Sequence, residues 1–171
     1  MEEERREILD PRWFALRTAP RHEKIVHERL LGRGVESFLP LYEKLSRWQD
    51  RRKLVKFPLF SGYCFANFSL ADRLHVVKTV GILGIVGSNL GPEPVQDFEI
   101  ESLKALVQSS IHFDPCPGLK VGMRVEVVRG PLMGVRGVLI RKEAKYRLVI
   151  SVDLLRQGAI VEIDSEDVVA V

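Results

Sequence analysis

The chain has 171 residues, of which 46% are hydrophobic and 29% are charged, so it can form a core and is not a wholly disordered protein. This length suits one ordinary domain or two small ones, and the net charge of +3 permits nucleic-acid binding without requiring it. The charged N-terminus is unlike a signal peptide, no apolar run reaches transmembrane length, and the two cysteines match no metal or redox spacing. We therefore expect a cytoplasmic protein with no membrane segment, cofactor or metal.

The N-terminal half predicts an α/β domain on a largely antiparallel sheet, preceded by a charged tail over residues 1–11. Short apolar runs predict strands, and apolar residues at helical spacing behind a proline or a capping sequence predict helices. The predicted strands are residues 13–16, 35–42, 63–68 and 81–87. The predicted helices are residues 20–31, a short helix after Ser69, and residues 97–109, with Ile100, Leu103 and Leu106 or Val107 facing inward.

Residues 57–68 carry five large aromatic rings within twelve residues. The alternation after Gly62 predicts a strand with no charge on either face, which is typical of a central strand covered on both sides. Pro58 cannot donate to a ladder, so we expect Phe60 to lie outside the sheet with its ring partly exposed. Two interpretations stay open at this point, a plain core strand or a partner-binding anchor.

The most basic segment is residues 47–56, which the order of elements predicts to be the tip of a hairpin. The segment contains a single acid, Asp50, and five cations. The cations are Arg47, Arg51, Arg52, Lys53 and Lys56. This pattern is compatible with a solvated loop, or with a tip that faces phosphates and offers Trp48 for stacking.

The C-terminal part changes character after a predicted linker at residues 110–119, in which we expect Cys116 to be an exposed thiol. Helical periodicity does not return. The predicted strands are residues 124–129, 135–142, 146–152 and 160–163, with a possible fifth at 168–169. Short strands separated by turn residues favour a small β-barrel.

The sequence offers no arrangement typical of an enzyme. The four histidines show no metal-ligand spacing, no serine lies in a nucleophile elbow, and no paired carboxylates lie at predicted strand ends. We therefore interpret the protein as a binding module rather than an enzyme.

Two sets of motifs carry a family resemblance. In the predicted barrel, apolar and polar residues alternate through Val125 and Val127 and are followed by a turn. Glycine in this turn permits positive φ and close backbone approach. The turn residues are Gly130, Pro131, Gly134 and Gly137. This segment resembles a KOW motif. In the N-terminal half, the matching segments are 13–16, 38–40, 59–63, 84–87 and 94–95. In order and spacing they resemble the NusG amino-terminal domain, so the resemblance covers nearly the whole chain.

The resemblance implies an α+β protein: an NGN-like sandwich at residues 12–109, the linker at 110–119, and an SH3-like KOW barrel at 120–171. Residues 148–155 and 161–164 look more like the specialised RfaH- and UpxY-like antiterminators than like housekeeping NusG. The chain departs from the family at Ser61, where the usual proline of the turn is missing.

The resemblance also implies a transcription elongation or antitermination factor that rides on RNA polymerase as a monomer. Its aromatic pocket would bind the clamp helices of the β′ subunit. The matching positions are Trp13, Phe14, Phe60, Tyr63 and Phe65. The β gate loop would be contacted near His75, the KOW domain would recruit Rho or a small-subunit ribosomal protein, and a basic surface would face upstream or non-template DNA. The nucleic-acid-facing positions are Arg17, Arg21, Lys24, Arg47, Arg51, Arg52 and Lys53.

A second hypothesis also fits the sequence. In it, the chain is a KOW-type RNA- or ribosome-binding protein whose barrel cations grip RNA. Those cations are Arg141, Lys142, Lys145 and Arg147.

Overall fold

The computed structural model describes residues 1–171 and divides into two compact units. One unit comprises residues 1–39 and 60–97, and the other comprises residues 40–59 and 98–171. Both contain antiparallel strands and helical segments, which confirms the predicted α+β class. The domain boundaries at residues 109 and 120 stay a prediction. None of the helices is long and apolar enough to cross a membrane.

The first unit is built on a four-stranded antiparallel sheet. Its strands are β1 (Arg12–Thr18), β2 (Glu36–Phe38), β5 (Tyr63–Phe68) and β6 (Ile82–Ile85). They lie in the order β2-β5-β1-β6. A small ribbon follows, formed by β7 (Gly87–Ser88) and β8 (Gly91–Pro92). As predicted, β5 is a central strand, because β1 and β2 pair with its two sides.

Helices α2 (Glu23–Gly32) and α3 (Arg73–Val77) contribute side chains to the core of this unit. Val26 and Leu30 of α2 and Val76 of α3 are fully buried with Phe14 and Phe68 of the sheet, whose ring centroids lie 4.9 Å apart. Cys64 is buried in the same cluster, and this burial raises the pKa of its thiol to about 11. The Cys64 side chain therefore acts as a small apolar core residue.

The predicted charged tail forms a helix, α1 (Glu2–Leu9), although every one of its residues is exposed. Glu2, Glu3 and Glu4 fill its first turn, where negative charge is stabilised by the helix dipole.

The predicted strand at residues 35–42 is wrong in its middle. β2 ends at Phe38, and the chain begins a new strand, β3, at Leu41. Pro40 explains the break, because it has no N–H to donate; its carbonyl instead accepts a hydrogen bond from the N–H of Leu59 at 2.9 Å.

The second unit contains a long hairpin, a helix and a six-stranded sheet. The hairpin is formed by β3 (Leu41–Trp48) and β4 (Arg51–Pro58), and the helix is α4 (Asp97–Gln108), with Ile100, Leu103 and Leu106 buried as predicted. The strands of the sheet are β9 (Phe113–Pro117), β10 (Met123–Val127), β11 (Arg136–Lys142), β12 (Lys145–Val152), β13 (Gln157–Glu162) and β14 (Val168–Ala170). They lie in the order β14-β10-β11-β12-β13-β9, which is consistent with the expected small barrel.

Strand β9 lies inside the segment predicted to be a linker, so that prediction is wrong for residues 113–117. The strand pairs with β13 along one side only, and an edge strand tolerates Pro115 and Pro117 because their missing N–H groups can face away from the ladder. Phe113 and Cys116 are buried, so the expectation of an exposed Cys116 thiol is also wrong.

The glycines of the turn between β10 and β11 have the conformations that their spacing predicted. Gly130 and Gly134 have φ values of 83° and 88°, in the left-handed region that favours glycine. Gly137 is required for a different reason: the neighbouring strand leaves no room for a side chain, since an added Cβ would lie 2.4 Å from the carbonyl oxygen of Val149. The turn therefore requires glycine for two separate reasons.

A hydrogen-bonded chain joins α2 to the sheet of the first unit. His27 Nδ1 lies 2.8 Å from Ser37 Oγ, which in turn lies 3.2 Å from the carbonyl oxygen of Phe65 and can donate to it. Partial burial lowers the pKa of His27, against an opposing effect of the Glu28 charge.

We expect this histidine to make stability pH-dependent. Because the folded protein holds His27 below its ordinary pKa of 6.5, its contribution is present above that pH and is lost as the pH falls through the lower folded-state value. Urea denaturation between pH 7.5 and pH 5.5 should therefore show a smaller loss of unfolding free energy in His27→Gln than in the wild type. Parallel pH profiles would contradict this assignment.

Candidate functional site

One face of the four-stranded sheet carries a continuous set of aromatic rings. We call Trp13, Phe38, Phe60 and Phe65 the ring cluster. The centroids of Trp13 and Phe38 lie 6.5 Å apart, those of Phe38 and Phe65 lie 6.2 Å apart, and those of Phe60 and Phe65 lie 5.4 Å apart. The contacts include edge-to-face and stacked geometries, both favourable for ring quadrupoles. Aromatic residues from β1, β2, β5 and the turn before β5 thus meet on one face.

The structure corrects two expectations about these rings. Phe60 was expected to be partly exposed, but only 1% of its surface is accessible, because its edge packs against Phe65. Phe14 does not join the ring cluster: it alternates with Trp13 along β1 and points to the other face, into the core.

Phe38 is the member that sequence reasoning did not assign to the site. It is half-buried, whereas Trp13, Phe60 and Phe65 are each no more than 5% exposed. Its place is set by pairing with Phe65 across β2 and β5, a contact between residues far apart in the chain. The aromatic character of residue 38 was visible, but the register that brings it to the cluster was not.

Tyr63 borders the ring cluster at the start of β5. It lies on the same face as Phe65 and opposite Arg17 of β1, and the structure gives its hydroxyl no hydrogen-bond partner. Arg17 is exposed and has no ion-pair partner. The two side chains line a cleft of about 380 Å³ together with Ile85 to Ser88, Gly91 and Pro92. Arg17 and the half-buried Tyr63 are thus more accessible than Trp13, Phe60 and Phe65.

The turn before Tyr63 is fixed without the proline that the family usually has. The N–H of Tyr63 donates to the carbonyl of Phe60 at 3.0 Å, and the N–H of Thr18 donates to the carbonyl of Gly62 at 2.9 Å. Gly62 has φ of 83°, and its N–H donates to the Glu23 carboxylate at 2.8 Å. A buried side chain of α2 therefore holds the turn that carries Phe60 and Tyr63.

We expect Glu23→Ala to destabilise the protein by about 2 kcal/mol, because a hydrogen bond to a charged acceptor is lost and the Gly62 N–H is left without a partner. Glu23→Gln keeps an oxygen acceptor and should lose less than half as much. Urea denaturation of both variants measures the difference, and equal losses would contradict the positioning role.

His75, the expected gate-loop residue, is exposed on α3 and is held by Arg33. The Arg33 guanidinium donates to the His75 carbonyl at 2.8 Å and lies 3.1 Å from Nδ1. Because a guanidinium can only donate, Nδ1 must accept, so this geometry places the ring proton on Nε2. The ring is thus presented in one orientation.

The basic hairpin differs from the prediction in the length of its tip. Strands β3 and β4 run up to the closing pair Trp48 and Arg51, so the turn consists of Gln49 and Asp50 alone. Gln49 has φ of 53°, in the left-handed region that two-residue hairpin turns use. The basic segment is therefore mostly strand, and the strand alternation assigns each cation to a face.

The predicted nucleic-acid-facing residues are divided between the two units. Arg17, Arg21 and Lys24 are exposed at the end of β1 and the start of α2, in the first unit. The four hairpin cations belong to the second unit and are exposed as well. They are Arg47, Arg51, Arg52 and Lys53.

Comparison with known proteins gives consistent matches. A family model described as "Transcription termination factor nusG" matches residues 11–104, more than half of the chain. A protein of Lactococcus lactis subsp. lactis (strain IL1403), named "Transcription termination/antitermination protein NusG", is 25% identical over 185 aligned residues, which cover 98% of this chain and 97% of that protein. A solved structure described as "Domain interaction in Thermotoga maritima NusG" matches with a TM-score of 0.56 and 21% identity, covering 95% of this chain and 98% of that one. This last match concerns the fold alone.

Proposed function

The chain belongs to the NusG family of transcription termination and antitermination factors, and we propose that it binds elongating RNA polymerase through the ring cluster and Tyr63. On this proposal it suppresses pausing or termination and recruits a second protein through its C-terminal barrel. A specialised RfaH- or UpxY-like role stays a prediction.

The observation that carries the proposal is the ring cluster itself. Four aromatic side chains form a continuous series of ring contacts on one face of the sheet, and the half-buried Tyr63 borders them. Aromatic residues that fill an apolar pocket are the side chains that most often dominate protein–protein affinity. Family resemblance assigns polymerase binding to aromatic positions of which Phe14 lies in the core and the others form or border the ring cluster. The assigned positions are Trp13, Phe14, Phe60, Tyr63 and Phe65. We add Phe38, which packs against Trp13 and Phe65.

The burial of the cluster defines how it would act. Trp13, Phe60 and Phe65 are almost inaccessible, so the first contact with polymerase falls to Tyr63 and the half-buried Phe38. The buried rings then support those two side chains, or become accessible when the complex forms. Phe14 has a core role here, and His75 is assigned to the β gate loop.

The remaining roles follow the same family pattern. Exposed cations at Arg17, Arg21 and Lys24 and on the hairpin would face upstream or non-template DNA through phosphate contacts, which are sensitive to salt. The barrel, whose turn glycines have the expected conformations, would recruit Rho or a small-subunit ribosomal protein.

One observation favours the second candidate, an RNA-binding barrel. At the tip of the β11–β12 hairpin, Arg141 lies over the Tyr146 ring at 5.7 Å, and Lys142 is paired with Lys145. However, the Lys145 ammonium group forms an ion pair with the Glu162 carboxylate at 2.9 Å. Their hydrogen bond lowers the pKa of the Glu162 carboxyl. Cations that are matched by acids in this way bind phosphates less well.

Co-sedimentation of the full chain with a stalled RNA polymerase elongation complex tests the proposed function. Tighter binding to the complex than to its nucleic-acid scaffold alone supports a polymerase-binding factor. Binding to isolated RNA with no binding to the complex would replace it with the RNA-binding alternative.

A further inference from the structure

The β3–β4 hairpin has two chemically different faces, because opposed residues of an antiparallel pair share a face and alternate residues along a strand change face. Trp48 is opposed to Arg51, and two residues down the strands Ser46 is opposed to Lys53. The tryptophan face therefore consists of Tyr42, Lys44, Ser46, Trp48, Arg51, Lys53, Val55 and Phe57. The leucine face consists of Leu41, Glu43, Leu45, Arg47, Arg52, Leu54, Lys56 and Pro58.

The tryptophan face combines an open ring with unpaired cations. Trp48 is 74% exposed, although a tryptophan without a function is usually mostly buried. Lys44, Arg51 and Lys53 are exposed, and their side chains take part in no ion pair or hydrogen bond within the chain. The face carries no carboxylate. A flat ring flanked by uncompensated positive charge is the composition of a single-strand binding surface.

The leucine face serves as an internal comparison. It carries three cations as well, but Glu43 is opposed to Lys56, and the exposed pair Leu45 and Leu54 occupies its centre. It offers no ring on which a base could stack. The two faces therefore have similar charge and the same scaffold but different chemistry.

We propose that the tryptophan face binds single-stranded nucleic acid, with an unpaired base stacked on Trp48 and neighbouring phosphates on Arg51 and Lys53. The inference deepens the nucleic-acid contact of the proposed function and rests on it for its biological setting. A duplex hides the faces of its bases, so the ring selects unpaired strands, whereas the cations alone would not distinguish strands.

The structure provides its own reporter for this contact. The chain has two tryptophans; Trp13 is 5% exposed and Trp48 is 74% exposed, so quenching of fluorescence by an added oligonucleotide reports on Trp48. We expect oligodeoxythymidylate or oligouridylate of about 12 nucleotides to quench the full chain at low salt. Quenching by one and not the other identifies DNA or RNA as the natural source. Trp48→Ala should weaken binding by about tenfold, and Trp48→Phe should weaken it much less. Because these variants lack the reporter tryptophan, their binding is measured by the fluorescence anisotropy of a labelled oligonucleotide.

Two matched double variants test the sidedness. Arg51→Gln with Lys53→Gln and Arg47→Gln with Arg52→Gln remove the same charge from the same hairpin, one pair from each face. The first pair should weaken single-strand binding about tenfold and reduce the slope of log affinity against log salt by about 1.4, at 0.7 for each phosphate contact. The second pair should change both quantities much less.

The contrary outcomes are distinct. Equal losses in the two double variants would overturn the assignment to the tryptophan face, and duplex binding as tight as single-strand binding would overturn the selection of unpaired strands. An absence of quenching in the wild type would overturn the inference as a whole. The assay contains no polymerase. A negative result therefore does not contradict the proposed polymerase interaction, and a positive result does not depend on that interaction. All substituted side chains are exposed, and circular dichroism verifies that each variant is folded.

Discussion

Gly137→Ala is expected to destabilise the C-terminal sheet by about 3 kcal/mol, near the upper end of overpacking effects. The added Cβ would lie 2.4 Å from the Val149 carbonyl oxygen and 2.9 Å from Leu148 Cδ1. Both contacts belong to β12, the neighbour of β11 in the sheet, and a backbone carbonyl cannot rotate away as a side chain can. Hydrogen exchange of the β11 and β12 amides, together with urea denaturation, measures the loss where it arises.

The matched control is Gly84→Ala in β6, where an added Cβ would meet nothing within 4 Å and the backbone φ is ordinary. We expect that change to be close to neutral. Gly134→Ala tests the effect of backbone conformation alone, since an added Cβ at Gly134 would have open space but its φ is 88°. This change should lower the free energy of unfolding by about 1 kcal/mol. If Gly137→Ala were as mild as Gly84→Ala, β11 and β12 could not approach as closely as the structure indicates.

The sequence allowed features that depend on local pattern to be predicted. The alternation of Tyr63–Phe68 identified a central strand, and the spacing of Gly130, Gly134 and Gly137 identified a tight turn, because strand period and glycine conformation are properties of adjacent residues. The sidedness of the hairpin also follows from alternation, but only once the closing pair Trp48 and Arg51 is known.

Features that depend on distant pairing could not be predicted. Strand β9 was mistaken for a linker because its partner β13 lies about forty residues away, and only that ladder gives the proline-rich segment a regular structure. The exposure of Phe60 was misjudged for the same reason, since its ring is covered through contacts such as that with Phe65 rather than through its own strand.

Tyr63→Ala is expected to weaken binding to the stalled elongation complex by about thirtyfold, and Tyr63→Ala with Phe38→Ala by several hundredfold. These two side chains are the accessible aromatic residues of the candidate site, and truncation of an aromatic anchor in an interface typically costs 2 kcal/mol or more. Co-sedimentation over a range of protein concentrations gives the affinities. Tyr146→Ala is the control, because this tyrosine is 37% exposed and lies on β12 of the C-terminal sheet, away from the ring cluster in sequence.

The choice of accessible residues makes the result interpretable. Substitution of the almost fully buried Phe60 or Phe65 would remove core contacts, at a typical cost of 3–5 kcal/mol, so lost binding could simply reflect unfolding. Tyr63 is half-buried and makes no hydrogen bond through its hydroxyl, so its truncation should lower the thermal midpoint much less than truncation of Phe60 or Phe65. If the folded Tyr63→Ala variant bound as tightly as the wild type while Tyr146→Ala did not, the polymerase contact would lie on the barrel rather than at the ring cluster.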